Sequence, residues 1–184
     1  RHMKPFSELI KRRQSTRAYI DKPVEKEKIL QCLEAARLAP SANNQQPWNF
    51  VVVDDPQLKI QVAESTASLG MNKFASQAPV LVVVVLDKER VISSLGGLVK
   101  DKNFCDYDVG MAVNQFCLQA AELDLDTCIM GWFKEENIKK LLQVDKKRRI
   151  ALLIALGYSE APVREKKRKP LEEMSSWNAY RKQL

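Results

Sequence analysis

Alternating helical and strand-like segments along one chain predict a single α/β or α+β domain. Three observations carry that prediction. Val80 to Leu86 is an unbroken β-branched and aliphatic run, as expected of a strand covered on both faces. From Val109 to Leu123, ten of fifteen residues are apolar, too wide a surface for a helix that packs on one side only. The 184 residues show no internal repeat, low-complexity tract or break in composition, and that length suits one domain with a sizeable core. With 45% hydrophobic residues, disorder is excluded as the general state of the chain.

Arg1-His2-Met3 reads as a cloning scar ahead of a natural start at Met3, leaving residues 4–184 as the domain. Lys4 to Lys11 is expected to be a short helix, with Phe6, Leu9 and Ile10 at helical spacing. Pro23 precedes a second helix whose apolar face is supplied by Val24, Ile29, Leu30, Leu33, Ala36 and Leu38, and Pro40 ends it. Turn formers and amides fill Pro40 to Pro47, which feeds a strand from Trp48 to Val53. After the turn at Asp54-Asp55-Pro56, a helix is expected over Gln57 to Ser68, then the Val80–Leu86 strand. The 88–105 stretch reads as a mobile loop with a partial helix. Beyond it come a long helix from Asp108 to Leu125, a strand from Thr127 to Met130, a helix near Glu135 to Leu142, and a strand from Ile150 to Leu156 stopped by Gly157. The long helix is read either as the centre of the core or as also lining a subunit interface. The basic tail, about 163–184, still carries Leu171, Met174, Trp177 and Tyr180, too apolar for a free linker, and is expected to dock on something.

Several chemistries are excluded early. The longest apolar stretch is far short of the roughly 20 residues a spanning helix needs, and no signal peptide is expected. His2 is the one histidine and belongs to the scar, which removes Ser-His-Asp and Cys-His catalysis and most zinc sites. Cys32, Cys105, Cys117 and Cys128 form no C-x-x-C pair and read as reduced core residues of a cytoplasmic protein.

The net charge of +7 is uneven. Lys4 to Arg17 carries +4 and Val163 to Leu184 another +4, whereas Ala18 to Pro162 sums to −2. Nucleic-acid binding would more often spread lysine along one helix or interleave aromatics with basic residues, and neither pattern is present. Two short basic clusters far apart in sequence suit a smaller anion, provided the fold brings them together; otherwise they are ordinary surface charge. No G-x-G-x-x-G or P-loop is present, and six glycines are too few for a glycine-built phosphate cradle. Side chains must therefore do the holding. Arg13-Gln14-Ser15-Thr16-Arg17 supplies guanidinium forks and a hydroxyl within five residues.

Arg13 to Tyr19, an R-x-S-x-R-x-[FY] pattern, followed by Ala39-Pro40-Ser41-Ala42-Asn43-Asn44-Gln45-Gln46-Pro47-Trp48, resembles the FMN-dependent nitroreductase family. Asp108-Val109-Gly110, Thr127 to Phe133, Gly157-Tyr158 and Lys166 to Leu171 continue the resemblance in order over nearly the whole chain. It implies an α+β, three-layer fold with a mostly antiparallel central sheet flanked by helices, and a C-terminal arm that wraps a dimer partner.

The resemblance also implies FMN as cofactor, NADH or NADPH as co-substrate, a small-molecule electron acceptor, and a homodimer with two FMN sites at its interface. Nucleic-acid and membrane partners are not expected. Arg13, Gln14, Ser15 and Arg17 would come from one chain, with Arg13 and Ser15 on the phosphate, joined by Lys166 and Arg168. Arg17 would stand near the flavin pyrimidine edge, where fixed positive charge stabilises negative charge that develops on reduction. Pro40, Ser41, Ala42 and Asn44 would reach the same flavin from the other chain, Gln46 shaping their loop. Met130, Gly131 and Trp132 resemble the segment passing over flavin N5, with Gly131 allowing close backbone approach. Asn72 and Lys73 stay outside this set, and no catalytic side chain is assigned. Asp124 and Asp126 replace glycines common in relatives, which should alter that turn, and the short chain implies an open pocket.

The activity so implied is hydride transfer from NAD(P)H through the flavin to a nitroaromatic, quinone or similar acceptor. A specialised relative of dehalogenase or flavin-destructase type is the alternative within the fold, although no lid motif for it is evident. A non-catalytic binder of flavin or nucleic acid is the alternative outside it.

Overall fold

The computed structural model describes residues 4–87 and 104–181. The elements are α1 (Phe6–Arg12), α2 (Lys26–Arg37), β1 (Trp48–Val53), α3 (Pro56–Thr66), β2 (Val80–Leu86), α4 (Phe104–Glu122), β3 (Asp126–Met130), α5 (Glu135–Leu141), β4 (Arg149–Gly157) and α6 (Leu171–Met174). Short 3-10 turns at Ala42–Asn44 and Lys73–Gln77 precede β1 and β2.

The four strands form one antiparallel sheet in the order β1-β2-β4-β3. Side chains alternate across it. Val80, Val82 and Val84 face a core shared with Ile29, Cys32 and Ala36 of α2 and Val109, Ala112, Val113 and Phe116 of α4. Leu81, Val83 and Val85 face the opposite core with Val62 and Ala63 of α3 and Ile138 of α5. That two-sided burial is why β2 has no polar position, and it makes the fold an α+β sandwich of three layers, as the sequence predicts.

Local chemistry explains the element ends. Asp55 caps α3, its carboxylate accepting the amides of Gln57 and Leu58, and Pro56 occupies the first helical position. The long helix is shifted from its expected span. It opens at Phe104 and ends at Glu122, because Asp124 takes a left-handed φ of 61° and reverses the chain into β3. The expected 88–105 loop otherwise lies outside the described residues. Val24 precedes α2 instead of lying on it, and Leu30 and Leu38 are 53% and 64% exposed, so the buried stripe of α2 is narrower than its apolar composition suggests.

Gly157 is demanded by packing. A Cβ there would stand 2.6 Å from Pro79 Cδ and 2.9 Å from Tyr19 Cδ1. The Tyr19 ring is held in place, since its hydroxyl donates to the Thr16 carbonyl at 2.9 Å, with the Ala155 carbonyl 3.3 Å away. Gly157→Ala is expected to lower unfolding free energy by about 1–3 kcal/mol through overpacking, measured by urea denaturation.

Candidate functional site

The two basic ends of the chain come together beside β3. Arg13 closes α1, and the backbone then runs extended. Ser15 forms a parallel bridge with Thr127, and the Thr16 amide donates to the Thr127 carbonyl at 2.9 Å. Gln14 is buried and ties this segment to the tail. Its Oε1 accepts the Arg164 amide (3.1 Å) and Nε (3.3 Å), while its Nε2 donates to the Pro162 carbonyl (3.1 Å). Arg164 Nη2 donates to the Ser15 carbonyl at 2.8 Å. Lys166 Nζ donates to the carbonyls of Lys11 and Arg13, both at 2.6 Å.

This assembly gathers positive charge, and the nearest acids beside it, Asp124 and Asp126, are engaged by Lys4, Arg12 and Thr16. Lys166 is held below the usual lysine range by burial and by the guanidinium charges of Arg13, Arg168 and Arg164. Arg13 and Arg168 form no ion pair among the described residues, and Arg17 stands exposed at the edge of the patch. Cys128 lies alongside. Burial raises its thiol pKa against the opposing effects of Arg17, a Ser15 hydrogen bond and Arg164. All four cysteines are buried and none is in a disulfide, and burial pushes Cys32 to about 12 and Cys117 to about 11, so those two thiols stay protonated at neutral pH.

The second segment expected at the site is the loop before β1. Asn43, Asn44 and Gln46 all adopt left-handed φ, at 52°, 53° and 50°, a local strain that needs outside support. Asp108, buried near the start of α4, supplies it by accepting the Ala42 amide on both carboxylate oxygens at 3.2 Å. Ser41 Oγ accepts the Gln46 amide at 3.0 Å, and Gln46 Nε2 donates to Asn44 O and Oδ1, both at 3.0 Å. Gln46 therefore shapes the loop. Pro40 is exposed at its entrance.

The third segment closes β3. The Met130 side chain is buried in the α3/α5 core, so only its backbone is available to a ligand. Gly131 has no left-handed φ, and an added Cβ would meet nothing within 4 Å, so neither conformation nor internal packing calls for glycine there. Space remains for a close external approach. Trp132 is half exposed, with Nε1 donating to Ser68 Oγ at 2.8 Å and its carbonyl accepting Asn72 Nδ2 at 3.0 Å.

One chain does not bring all three segments around one ligand. The 41–44 loop is fastened at Asp108, whereas the Arg12–Arg13 end of α1 is fastened at Ala121, where the Arg12 Nε donates at 3.0 Å. Asp108 and Ala121 are separated along α4 by about 20 Å of helix at 1.5 Å per residue. β1 and β3 are also the opposite edges of the sheet. The structure thus joins Arg13, Gln14, Ser15, Lys166 and Arg168, and places Pro40, Ser41, Ala42 and Asn44 at the far end.

Two participants escaped the sequence reading. Arg164 lay inside the recognised basic tail but carried no motif of its own. Asp108 belonged to a quoted motif without a role, and only the fold shows that it anchors the strained loop.

A model of the nitroreductase family matches residues 10–73 and 60–158. The chain is 30% identical over 173 residues to the oxygen-insensitive NADPH nitroreductase of Helicobacter pylori, a match covering 78% of this chain and 82% of that protein. It is 27% identical over 192 residues to an NADH dehydrogenase of Thermus thermophilus, covering 90% and 92% respectively. Among solved structures, an FMN-dependent nitroreductase from Clostridium difficile superposes with a TM-score of 0.79 at 28% identity, covering 94% of this chain and 98% of that one.

Proposed function

This chain belongs to the nitroreductase family, and on that premise we propose that it is an FMN-dependent NAD(P)H oxidoreductase acting as a homodimer in the cytoplasm. The observation that carries the cofactor assignment is the basic cluster of Arg13, Arg164, Lys166 and Arg168, whose repulsion a phosphate would relieve. The residues fit the cofactor in a second respect, because the open space over Gly131 admits a planar group against the backbone. FMN held there would supply the redox chemistry, hydride transfer between NADH or NADPH and a nitroaromatic, quinone or similar acceptor. Arg13, Ser15, Lys166 and Arg168 hold the phosphate, with Gln14 and Arg164 keeping the two basic segments joined. Arg17 would supply a fixed positive charge to the ring, and Met130, Gly131 and Trp132 would offer it backbone and indole surface. No side chain is assigned a proton-transfer role, in keeping with a chain whose one histidine is His2.

The homodimer reading is supported by surfaces left bare in one chain. Phe104, Tyr107 and Met111, at helical spacing on α4, are 43%, 60% and 39% exposed. Gly110 beside them has a free side-chain direction in mid-helix, where glycine is costly unless another backbone comes near. Gln115 on the same helix buries an Oε1 that no donor reaches among the described residues. The arm exposes Leu171, Met174, Trp177 and Tyr180. A second copy on this face would cover these groups and carry its Pro40–Asn44 loop to the first copy's basic cluster, completing a site that one chain leaves in halves.

The test is purification of the full chain followed by FMN titration. One FMN per chain and oxidation of NADH or NADPH with a nitroaromatic or quinone acceptor are expected. Failure to bind added FMN would sink the proposal.

A further inference from the structure

α1 contributes no buried residue, yet it delivers Arg13 to the basic cluster. Hydrogen bonds and ion pairs therefore locate it more than core packing does. Its two flanks are fastened to the turn between α4 and β3. Lys4 Nζ donates to the Glu122 carbonyl at 3.0 Å and to Asp124 Oδ1 at 2.7 Å. Arg12 Nε donates to the Ala121 carbonyl at 3.0 Å, and its Nη2 lies 3.7 Å from the same Asp124 oxygen. Two residues beyond Asp124, Asp126 Oδ1 accepts the Thr16 hydroxyl at 3.0 Å.

Asp124 occupies a position that ordinarily favours glycine. α4 ends with the Leu125 amide donating to the Ala120 carbonyl at 2.9 Å and the Asp124 amide to the Ala121 carbonyl at 3.3 Å, with Asp124 at φ 61° between them. This paired-bond stop selects a left-handed residue, which a side chain with a Cβ adopts under strain. The turn itself does not call for a carboxylate, whereas Lys4 and Arg12 do.

We propose that Asp124 and Asp126 are positioning residues that clamp the 12–16 segment on both sides of Arg13-Gln14-Ser15, so that Arg13 and Ser15 face the anion. They also sort the charges. Asp124 engages Lys4 and Arg12, leaving Arg13, Arg164 and Lys166 to the ligand. The inference rests on the FMN reading above, and its sign separates it from simple electrostatics. By Coulomb's law alone, deleting a carboxylate close to a phosphate site strengthens binding. A clamp predicts weaker binding.

Asp124→Gly and Asp126→Gly, made singly in the full chain, are compared with the wild type for FMN and riboflavin affinity by flavin fluorescence, and for amide hydrogen exchange over residues 6–16 without ligand. Glycine suits the Asp124 backbone, so the turn survives that substitution. Each variant is expected to bind FMN about three- to tenfold more weakly, the scale of an exposed ion pair with its hydrogen bonds. Riboflavin, which lacks the phosphate, is expected to bind as to the wild type, and exchange over 6–16 is expected to quicken. Asp124→Asn keeps an acceptor oxygen and tolerates the left-handed backbone, and should restore most of the FMN affinity. Unchanged or tighter FMN binding, an equal loss for both flavins, or unchanged exchange would each overturn the clamp. A wild type that binds neither flavin would overturn the FMN reading, and this proposal with it, while the exchange measurement still reports whether the acids hold the segment.

Discussion

Arg13→Ala is expected to weaken FMN binding about tenfold to a hundredfold, because a hydrogen bond to a charged group contributes about 1.5–3 kcal/mol. The apo protein should melt where the wild type does. Arg13 lacks an ion pair among the described residues, and its loss removes part of the repulsion that, after burial, lowers Lys166 below its ordinary range. Affinity and stability therefore part company, which identifies a binding residue. Arg13→Lys keeps the charge but not the planar fork, and intermediate affinity is expected. Flavin fluorescence titration alongside melting of the apo protein reads both quantities. Full affinity in Arg13→Ala would place the phosphate elsewhere.

The Tyr107→Glu, Met111→Glu double variant is expected to leave the fold of one chain intact and abolish both association and FMN binding. Both side chains are already exposed in the single chain, so the change costs little there. In a dimer, two carboxylates would enter an apolar interface without partners, at about 3–5 kcal/mol for each uncompensated charge. Neither residue is among those joined at the basic cluster, so loss of FMN together with loss of the dimer would show that the second copy completes the site. Light scattering reports the mass and titration the affinity. A variant that remains dimeric and binds FMN would move the interface to another face.

The elements that declared themselves in sequence are those whose burial is written in short-range pattern. β2 is apolar at every position because helices cover both faces, and the α4 run is too wide for one-sided packing because the helix meets the sheet core while leaving Met111 outside. Boundaries were less legible. Asp124 adopts the left-handed conformation and ends α4 early, although aspartate does not announce such a stop as glycine would. Leu30 and Leu38 read as core on α2 and lie exposed, because periodicity reports hydrophobicity without saying which apolar surface belongs to the chain's own interior and which is left for something else.

For the site, residue type and spacing in Arg13 to Arg17 pointed to an anion, and segmental charge located the second basic cluster at the other end. Whether those ends meet is a question of topology. The Ser15–Thr127 bridge lays the N-terminal segment along β3, and Gln14 then grips the tail through Pro162 and Arg164. Contacts separated by about 150 residues leave no local pattern, so Arg164 and Asp108 gained their roles only from the fold. The same topology keeps the Pro40–Asn44 loop at the far edge.

By itself, the amino-acid sequence determined which segments are helix or strand, which chemistries are absent, and which side chains are suited to a phosphate, since each depends on neighbours a few residues apart. Only the tertiary structure decided that the two basic ends form one cluster and that the Pro40–Asn44 loop is fastened at Asp108, about 20 Å along α4 from the Ala121 anchor of that cluster. Strand order and helix direction set those distances, and they arise from burying both faces of one sheet at once.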